Sequence, residues 1–528
     1  MSGGSERVTG VRVSLTWDNT DCQVLHSVSG RDTLRVKRTS GVKIVESAWS
    51  SGLLVRAEGA GTVAHAGVVL PRLLADRVAL TGAFREVLAR RGFVPGRDRG
   101  RAVTDTVAAL AAGASCLSDV EAMTAQVELF GPAGGASDTT VLRVLGEYAD
   151  RLGGDGLPGR ALARATGQVR ARAWAKVVTR HGALPAVRVA GKDLTRPDGD
   201  PVTVVRLDAT VIASASNKEG AEANYKGYGF HPLTAWCSNT GENLAVMNRV
   251  GSAGSFTAAD HVAVIDAALA QVPAPYRRDV LVTVDGAGAS HGLVEHLHAL
   301  NTAREHGARG RRVEYSIGWP VDARTRSALE AAREDDWSPG LTAKGKADLD
   351  AQVIELTGLL RTGPGGDQLA AWPADMRVFA RRTPRAPGEQ AQLGQDPDWR
   401  YGAFATNTPT GQVQYLDVRH RTQAHVEDRI KELKACGGTR LPSTSYARNS
   451  AWLHLAAHAV TVLAWLRLLA LDGDLALAEP KTLRFRLFSA PARFVRHARS
   501  RVLKIPTGWA WASHLADAFA RLRALHPA

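Results

Sequence analysis

Two stretches decide the reading of this chain, VTVVRLDATVIAS (202–214) and VLVTVDGAG (280–288). Each is a run of aliphatic and β-branched residues with the length of a buried strand. Each also carries one aspartate, Asp208 inside the first and Asp285 at the end of the second. Burial disfavours an ionised carboxylate, so such a residue needs something to compensate it. Taken singly, either aspartate also reads as a strand-end residue bonded to a loop. Taken together they call for a common compensator, and a divalent cation is the simplest. A third carboxylate, Glu427, sits on an amphipathic helix, RTQAHVEDRIKELK (421–434). Two aspartates on neighbouring strands and a glutamate from a later helix can hold two Mg²⁺ ions about 3.5–4 Å apart, a clamp suited to phosphodiester chemistry. Hard oxygen ligands also admit Mn²⁺.

The elements around these carboxylates have a definite order. The Asp208 strand is followed by GFHPLTAWCSN (229–239) and NLAVMNRV (243–250), and the short connections predict an antiparallel meander. A helix over 258–272 leads to the Asp285 strand, and a helix over 290–306 leads to the strand RRVEYSIGW (311–319). Three strands, helix, strand, helix, strand is the ribonuclease-H-like order. Residues 320–410 interrupt it with helical stretches, a polar tract (386–398) and two strands (376–384 and 400–408), and read as an insertion domain between the second Asp and the Glu. The expected class is multidomain α/β. It comprises a strand-containing segment (1–66), a mainly helical DNA-binding region (67–195), a ribonuclease-H-like core in two parts (200–319 and 411–475) and a basic C-terminal region (476–528). Within the helical region, a helix-turn-helix and a plain bundle fit equally well.

The 528 residues carry a formal charge of +14, which points to a polyanionic partner, although charge alone does not separate nucleic acid from an anionic membrane. Positive charge is clustered. Residues 159–192 hold eight Lys/Arg and no acid, with Arg170 and Arg172 as candidates for recognising a particular DNA end. Residues 481–504 hold eight more and no acid, with Arg496, Arg499 and Arg501 as candidates for sequence-independent phosphate contact. Either tract is a solvated face if nothing binds it. Cys22, Cys116, Cys237 and Cys436 form no CxxC pair, which argues against a zinc ribbon or disulfide framework and fits a reducing cytoplasm. No charged segment followed by an apolar run opens the sequence, so no signal peptide is expected. The apolar stretch 451–471 carries His454, His458 and Arg467, so it reads as a buried core helix and no membrane partner is expected. The segment GAGAS (286–290) lacks the Lys-Ser/Thr of a phosphate loop.

On a helix, residues seven apart share a face, which aligns His420, Glu427 and Lys434 with Gln423 beside them. This segment resembles the Tyr-x2-Arg-x3-Glu-x6-Lys signature of bacterial insertion-sequence DDE transposases. It matches at Glu427 and Lys434 and departs at His420 and Gln423, with Arg421 nearby. Further stretches are similar to the insertion-sequence 1380 group, among them LDATVIASASNKEGAEANYKGYGFHPL (207–233), GSAGSFTAADH (251–261), FATNTPTG (404–411), EDRIKELKACGGTRLPSTSYARNSAWL (427–453) and AEPKTLRFRLF (478–488). The resemblance covers roughly residues 10–525.

It implies an enzyme that binds terminal inverted repeats, cleaves DNA at element ends and joins them to target DNA, acting as a homodimer on paired ends. It implies that Asp208, Asp285 and Glu427 are the catalytic metal ligands. Lys434 would touch DNA phosphate with His420 and Arg421 beside it, and Lys218, Tyr225, Lys226 and His231 would face DNA. Two other readings remain: a ribonuclease-H-like structure-selective nuclease, and a DNA-binding protein derived from a transposase that has lost catalysis. The second should have lost a carboxylate, and all three are present.

Overall fold

The structure, a computed structural model, describes residues 54–526 apart from 55, 57–58, 255–256, 308–309, 364, 387, 392–395 and 498–499, together with four strands among the first 46 residues. The chain divides into two compact units, Met1–Gly61 and Thr62–Ala528. In the first, Arg12–Trp17 pairs with Cys22–Ser27 and Arg35–Thr39 with Val42–Glu46, both antiparallel.

The second unit begins with helices α1 (Val69–Arg77), α2 (Leu80–Leu88), α3 (Arg99–Ala112), α4 (Leu117–Thr124), α5 (Asp138–Ala149) and α6 (Arg160–His181). Asp98 caps α3 by accepting from the Arg101 amide, and Ser137 caps α5 by accepting from Thr140. Small residues dominate α3, so neighbours approach closely and the helix is buried along almost its whole length.

Next come β1 (Thr203–Ala209), β2 (Leu233–Cys237), β3 (Glu242–Met247), α7 (Ala258–Gln271), β4 (Asp279–Val284), α8 (His291–Leu300) and β5 (Arg312–Trp319). They are followed by β6 (Ser338–Leu341), β7 (Ala347–Glu355), β8 (Arg377–Pro384) and β9 (Trp399–Thr406). All nine strands form one sheet in the order β3-β2-β1-β4-β5-β9-β8-β7-β6. The first three are an antiparallel meander, and β4 runs parallel to both β1 and β5. The first five strands thus have the ribonuclease-H-like order. Strands β6–β9 continue the same sheet, because β9 pairs antiparallel with the outer edge of β5 and satisfies backbone groups that an edge strand would leave open.

One sheet face packs Val205, Leu207, Val280, Val282 and Val284 against Val264 and Ile265 of α7 and Leu293, Val294 and Leu297 of α8. On the other side lie α9 (Val413–Arg421) and α10 (Val426–Leu433), joined by the 3₁₀ turn Thr422–His425. There Trp236 and Val246 share a core with Val426 and Leu433, and with α11 (Tyr446–Ala470). Among the described residues, α11 is the one helix long and apolar enough to cross a membrane, and 89% of its most apolar window is buried within the protein. Two of its polar side chains find partners there: His454 Nε2 lies 2.9 Å from the Gly156 carbonyl, and Arg467 donates to Glu432 and to the Ala478 carbonyl. The expected buried core helix is what forms.

The chain ends with β10 (Ala492–His497), β11 (Ser500–Lys504) and α12 (Ala512–Ala524). Strands β10 and β11 make a two-stranded ribbon, and Ala492 and Arg493 at its base pair with Val63 and Thr62. Cys116, Cys237 and Cys436 carry free thiols.

Candidate active site

Strands β1 and β4 are parallel neighbours with Leu207 opposite Val284, which places Asp285 abreast of Asp208 where the two strands end. Adjacent strands lie about 4.8 Å apart. Side chains alternate, so Arg206 and Asp208 point away from the face occupied by Leu207, and Thr283 and Asp285 away from that of Val284. Both aspartates therefore belong to the face covered by α9–α11.

Asp208 is half-buried and Asp285 exposed. The Asp208 carboxyl is pushed up to about 7. Burial is the main cause, followed by the negative charge of Asp285 and, more weakly, that of Glu427. A backbone hydrogen bond at Ala209 and the Lys434 ammonium act in the opposite direction. Asp285, Glu427 and Lys434 are thus each within electrostatic reach of Asp208. Among the described residues, no group of three or more His, Cys, Asp or Glu side chains is drawn closely enough together to hold an ion.

The helix bearing Glu427 is fixed to these strands from beneath. The Gln423 amide donates to the Leu207 carbonyl (2.7 Å), and the Thr283 hydroxyl donates to the Gln423 side-chain oxygen. Arg206 donates to Thr422 (2.9 Å), to Thr283 (3.2 Å) and to Ser238. Arg206 is 1% exposed, and burial lowers its pKa to about 10. At the end of β5, a β-carbon on Gly318 would overlap the Gly286 nitrogen, so the loop after Asp285 lies directly on backbone that only glycine can offer. Beside that loop His291 stacks on Trp372 at 3.7 Å, and Trp319 meets the same ring edge-on at 4.9 Å.

The remaining residues expected at DNA divide into two groups. Lys434 is part-buried, its pKa lowered by burial first and by Lys226 second. Tyr225 and Lys226 form the exposed tip of the hairpin Glu222–Asn224/Gly227–Phe230. Arg172 is exposed on α6, and Arg496 and Arg501 are exposed directly opposite each other on the β10–β11 ribbon. Arg499 lies outside the described residues.

The second group is engaged by the protein's own groups instead. Arg170 is 3% exposed and is held by Glu242 (2.7 Å), Gln271 and the Asn243 carbonyl. Lys218 donates to the Leu441 carbonyl, and His231 is buried against the Ala253 carbonyl (2.9 Å). Arg421 is engaged by Asp417 (2.9 Å) and the Leu341 carbonyl. His420 stacks on Phe404 at 4.7 Å and bonds Ser316 (3.0 Å), and burial holds it neutral with a pKa lowered to about 3. The 3₁₀ turn winds 120° per residue rather than 100°, so its four residues rotate the face of α9 by about 80° relative to α10. The row His420–Glu427–Lys434 is broken there.

Arg206, Thr283 and the inward role of Gln423 escaped the sequence reading. The available signal was alternation: Arg206 stands two residues before Asp208 on one strand, so it shares a face with it.

Residues 47–527 match the family described as transposase DDE domain group 1. Among solved structures, the chain is similar to one titled "Cryo-EM structure of piggyBac transposase synaptic complex with hairpin DNA", with 8% sequence identity, coverage of 89% of this chain and 88% of that one, and a TM-score of 0.36. No curated protein matches at a significant level. Because the family match runs through every strand of the nine-stranded sheet and from α1 to α12, the chain belongs to the transposase DDE domain group 1 family, DNA-binding enzymes of DNA transposition.

Proposed function

We propose that this protein is the transposase of a bacterial insertion sequence of the 1380 group, and that Asp208, Asp285 and Glu427 are its catalytic carboxylates. The observation that carries this reading is the register of β1 on β4, which sets the two aspartates side by side at parallel strand ends, under a helix whose glutamate influences the same site.

The donor set fits hard divalent cations. All three groups are carboxylates, and Asp208 is raised by burial first and by the negative charge of Asp285 second, a state that a bound cation would relieve. Asp208, Asp285 and Glu427 would hold two Mg²⁺ ions, or Mn²⁺ in their place. The chemistry such ions supply when bound is activation of a water or a DNA 3′-hydroxyl and stabilisation of the leaving oxygen. The chain's own residues do the rest. Gln423 and Arg206 hold the glutamate helix in register with both aspartates. Lys434, part-buried beside Asp208, meets the phosphate entering the site. Arg172 and the helical region serve end recognition, and Arg496 and Arg501 hold duplex backbone without regard to sequence. Terminal inverted repeats and target DNA are the partners, with a homodimer on paired ends.

The test is incubation of the protein and Mg²⁺ with a duplex carrying the element's own end, followed by mapping of nicks. Asp208→Asn, Asp285→Asn and Glu427→Gln should each abolish cleavage and leave end binding nearly intact. A variant that still cleaves removes its residue from the site. Nicks that never proceed to joining favour a structure-selective nuclease.

A further inference from the structure

The tract between Asp208 and the meander contains a small rigid device. Glu222–Asn224 and Gly227–Phe230 pair antiparallel, with Asn224 opposite Gly227, so Tyr225 and Lys226 alone make the turn. Gly227 takes a positive φ of 109° while neither Tyr225 nor Lys226 does, which is the pattern of a hairpin turn closed by a glycine bulge. The Asn224 side chain accepts from the Lys226 amide at 2.8 Å and stiffens the turn further.

The base of the hairpin is locked as well. Gly251 packs so closely on the Glu222 and Gly229 carbonyls that a β-carbon there would overlap both, and Phe230 is fully buried with its ring 6.1 Å from that of Tyr446. Yet the tip presents aromatic rings to solvent, Tyr225 at 77% and Tyr228 at 54% exposure. The Lys226 ammonium sits over one face of the Tyr225 ring, 5.3 Å from its centre. Gly229 and Phe230 at the hairpin's base pair with Ala213 and Ile212, the segment that leaves β1 just after Asp208, which ties the hairpin to the rim of the carboxylate site.

We propose that Tyr225 is a stacking platform for an unpaired DNA base next to the phosphate being cut, with Lys226 beside it to hold the adjoining phosphate. This rests on the reading of the carboxylates as the cleavage site. An exposed ring with one open face suits a base, since every base presents a π-face and stacking tolerates any sequence. A rigid turn loses little entropy when it is covered.

The probe is a duplex with a short single-stranded extension whose first unpaired position is 2-aminopurine, compared with the same duplex fully paired. Both are mixed with the full chain in Ca²⁺. Wild type should quench the fluorescence severalfold and bind the extended duplex more tightly than the paired one. Tyr225→Ala should lose the quench and bind the extended duplex roughly five- to a hundredfold more weakly, with paired-duplex affinity unchanged within about twofold. Tyr225→Phe should keep the quench, and so should Tyr228→Ala. Equal quench and equal affinity in Tyr225→Ala and wild type overturn the proposal, as does a wild type with no preference for the extension. If wild type binds neither duplex, the DNA reading itself fails and the stacking role with it.

Discussion

The side-chain amide of Gln423 reaches the Leu207 carbonyl at 2.7 Å, joining the turn that precedes the Glu427 helix to the residue before Asp208. The same side chain accepts from Thr283, two residues before Asp285. One glutamine therefore sets the relative position of all three carboxylates, at a place where the related signature carries arginine.

Removing that tie should separate activity from fold. Gln423→Ala leaves the Leu207 carbonyl and the Thr283 hydroxyl short of a buried partner, at a cost of about 1–3 kcal/mol. The larger effect should be on cleavage, falling on the order of 100-fold because the glutamate drifts from its place. Thermal unfolding and a cleavage time course on the same preparation check both. Full activity in a destabilised variant would show that the bond serves only the fold.

Asp208 gives the fold a pH dependence with a definite sign. Its folded pKa, about 7, lies above its ordinary value of 3.8, so the folded state holds the proton more tightly than the unfolded chain does. The penalty is absent below about pH 4, grows between pH 4 and 7, and is constant above. In EDTA, wild type should lose melting temperature across that window and Asp208→Asn should lose much less. Mg²⁺ at pH 8 should restore stability to wild type and not to the variant. Parallel melting curves for the two proteins would refute this assignment.

Neighbouring arginines on α6 should behave oppositely. Arg170→Ala leaves Glu242 buried without its partner and should cost about 3–5 kcal/mol of stability. Arg172→Glu should leave the melting temperature unchanged and weaken binding to element ends severalfold. An Arg170 variant that folds normally yet fails to bind DNA would reverse the assignment.

The C-terminal ribbon sets Arg496 against Arg501 and Arg493 against Lys504. Like charges directly across a ladder destabilise it. Arg496→Glu should stabilise the ribbon by about 0.2–1 kcal/mol, lower affinity for any duplex and reduce the salt slope by about one for each phosphate that is no longer neutralised. Binding to random duplex at several salt concentrations reads this out. Unchanged binding would make the ribbon an ordinary solvated face.

Much of this was legible in residue order. The aliphatic runs around Asp208 and Asp285, and the short links to the next two strands, are local patterns, and they yield the strand order. Glu427 and Lys434 lie on one short segment and keep their helical spacing. What escaped depends on distant partners. Arg170 looks like a surface cation because Glu242 stands 72 residues away. His420 aligns with Glu427 only if the helix is continuous, and the intervening 3₁₀ turn is a tertiary accommodation. Residues 320–410 read as an insertion domain because nothing local reveals that β9 will pair with β5.

The short pairing of Thr62 and Val63 with Arg493 and Ala492 has a consequence for timing during synthesis. A nascent chain that has already emitted α1–α11 and all nine strands of the sheet still lacks the partner for Thr62 and Val63, so this seam closes only after β10 has been made. A polypeptide truncated before β10 should be left with that seam unsealed.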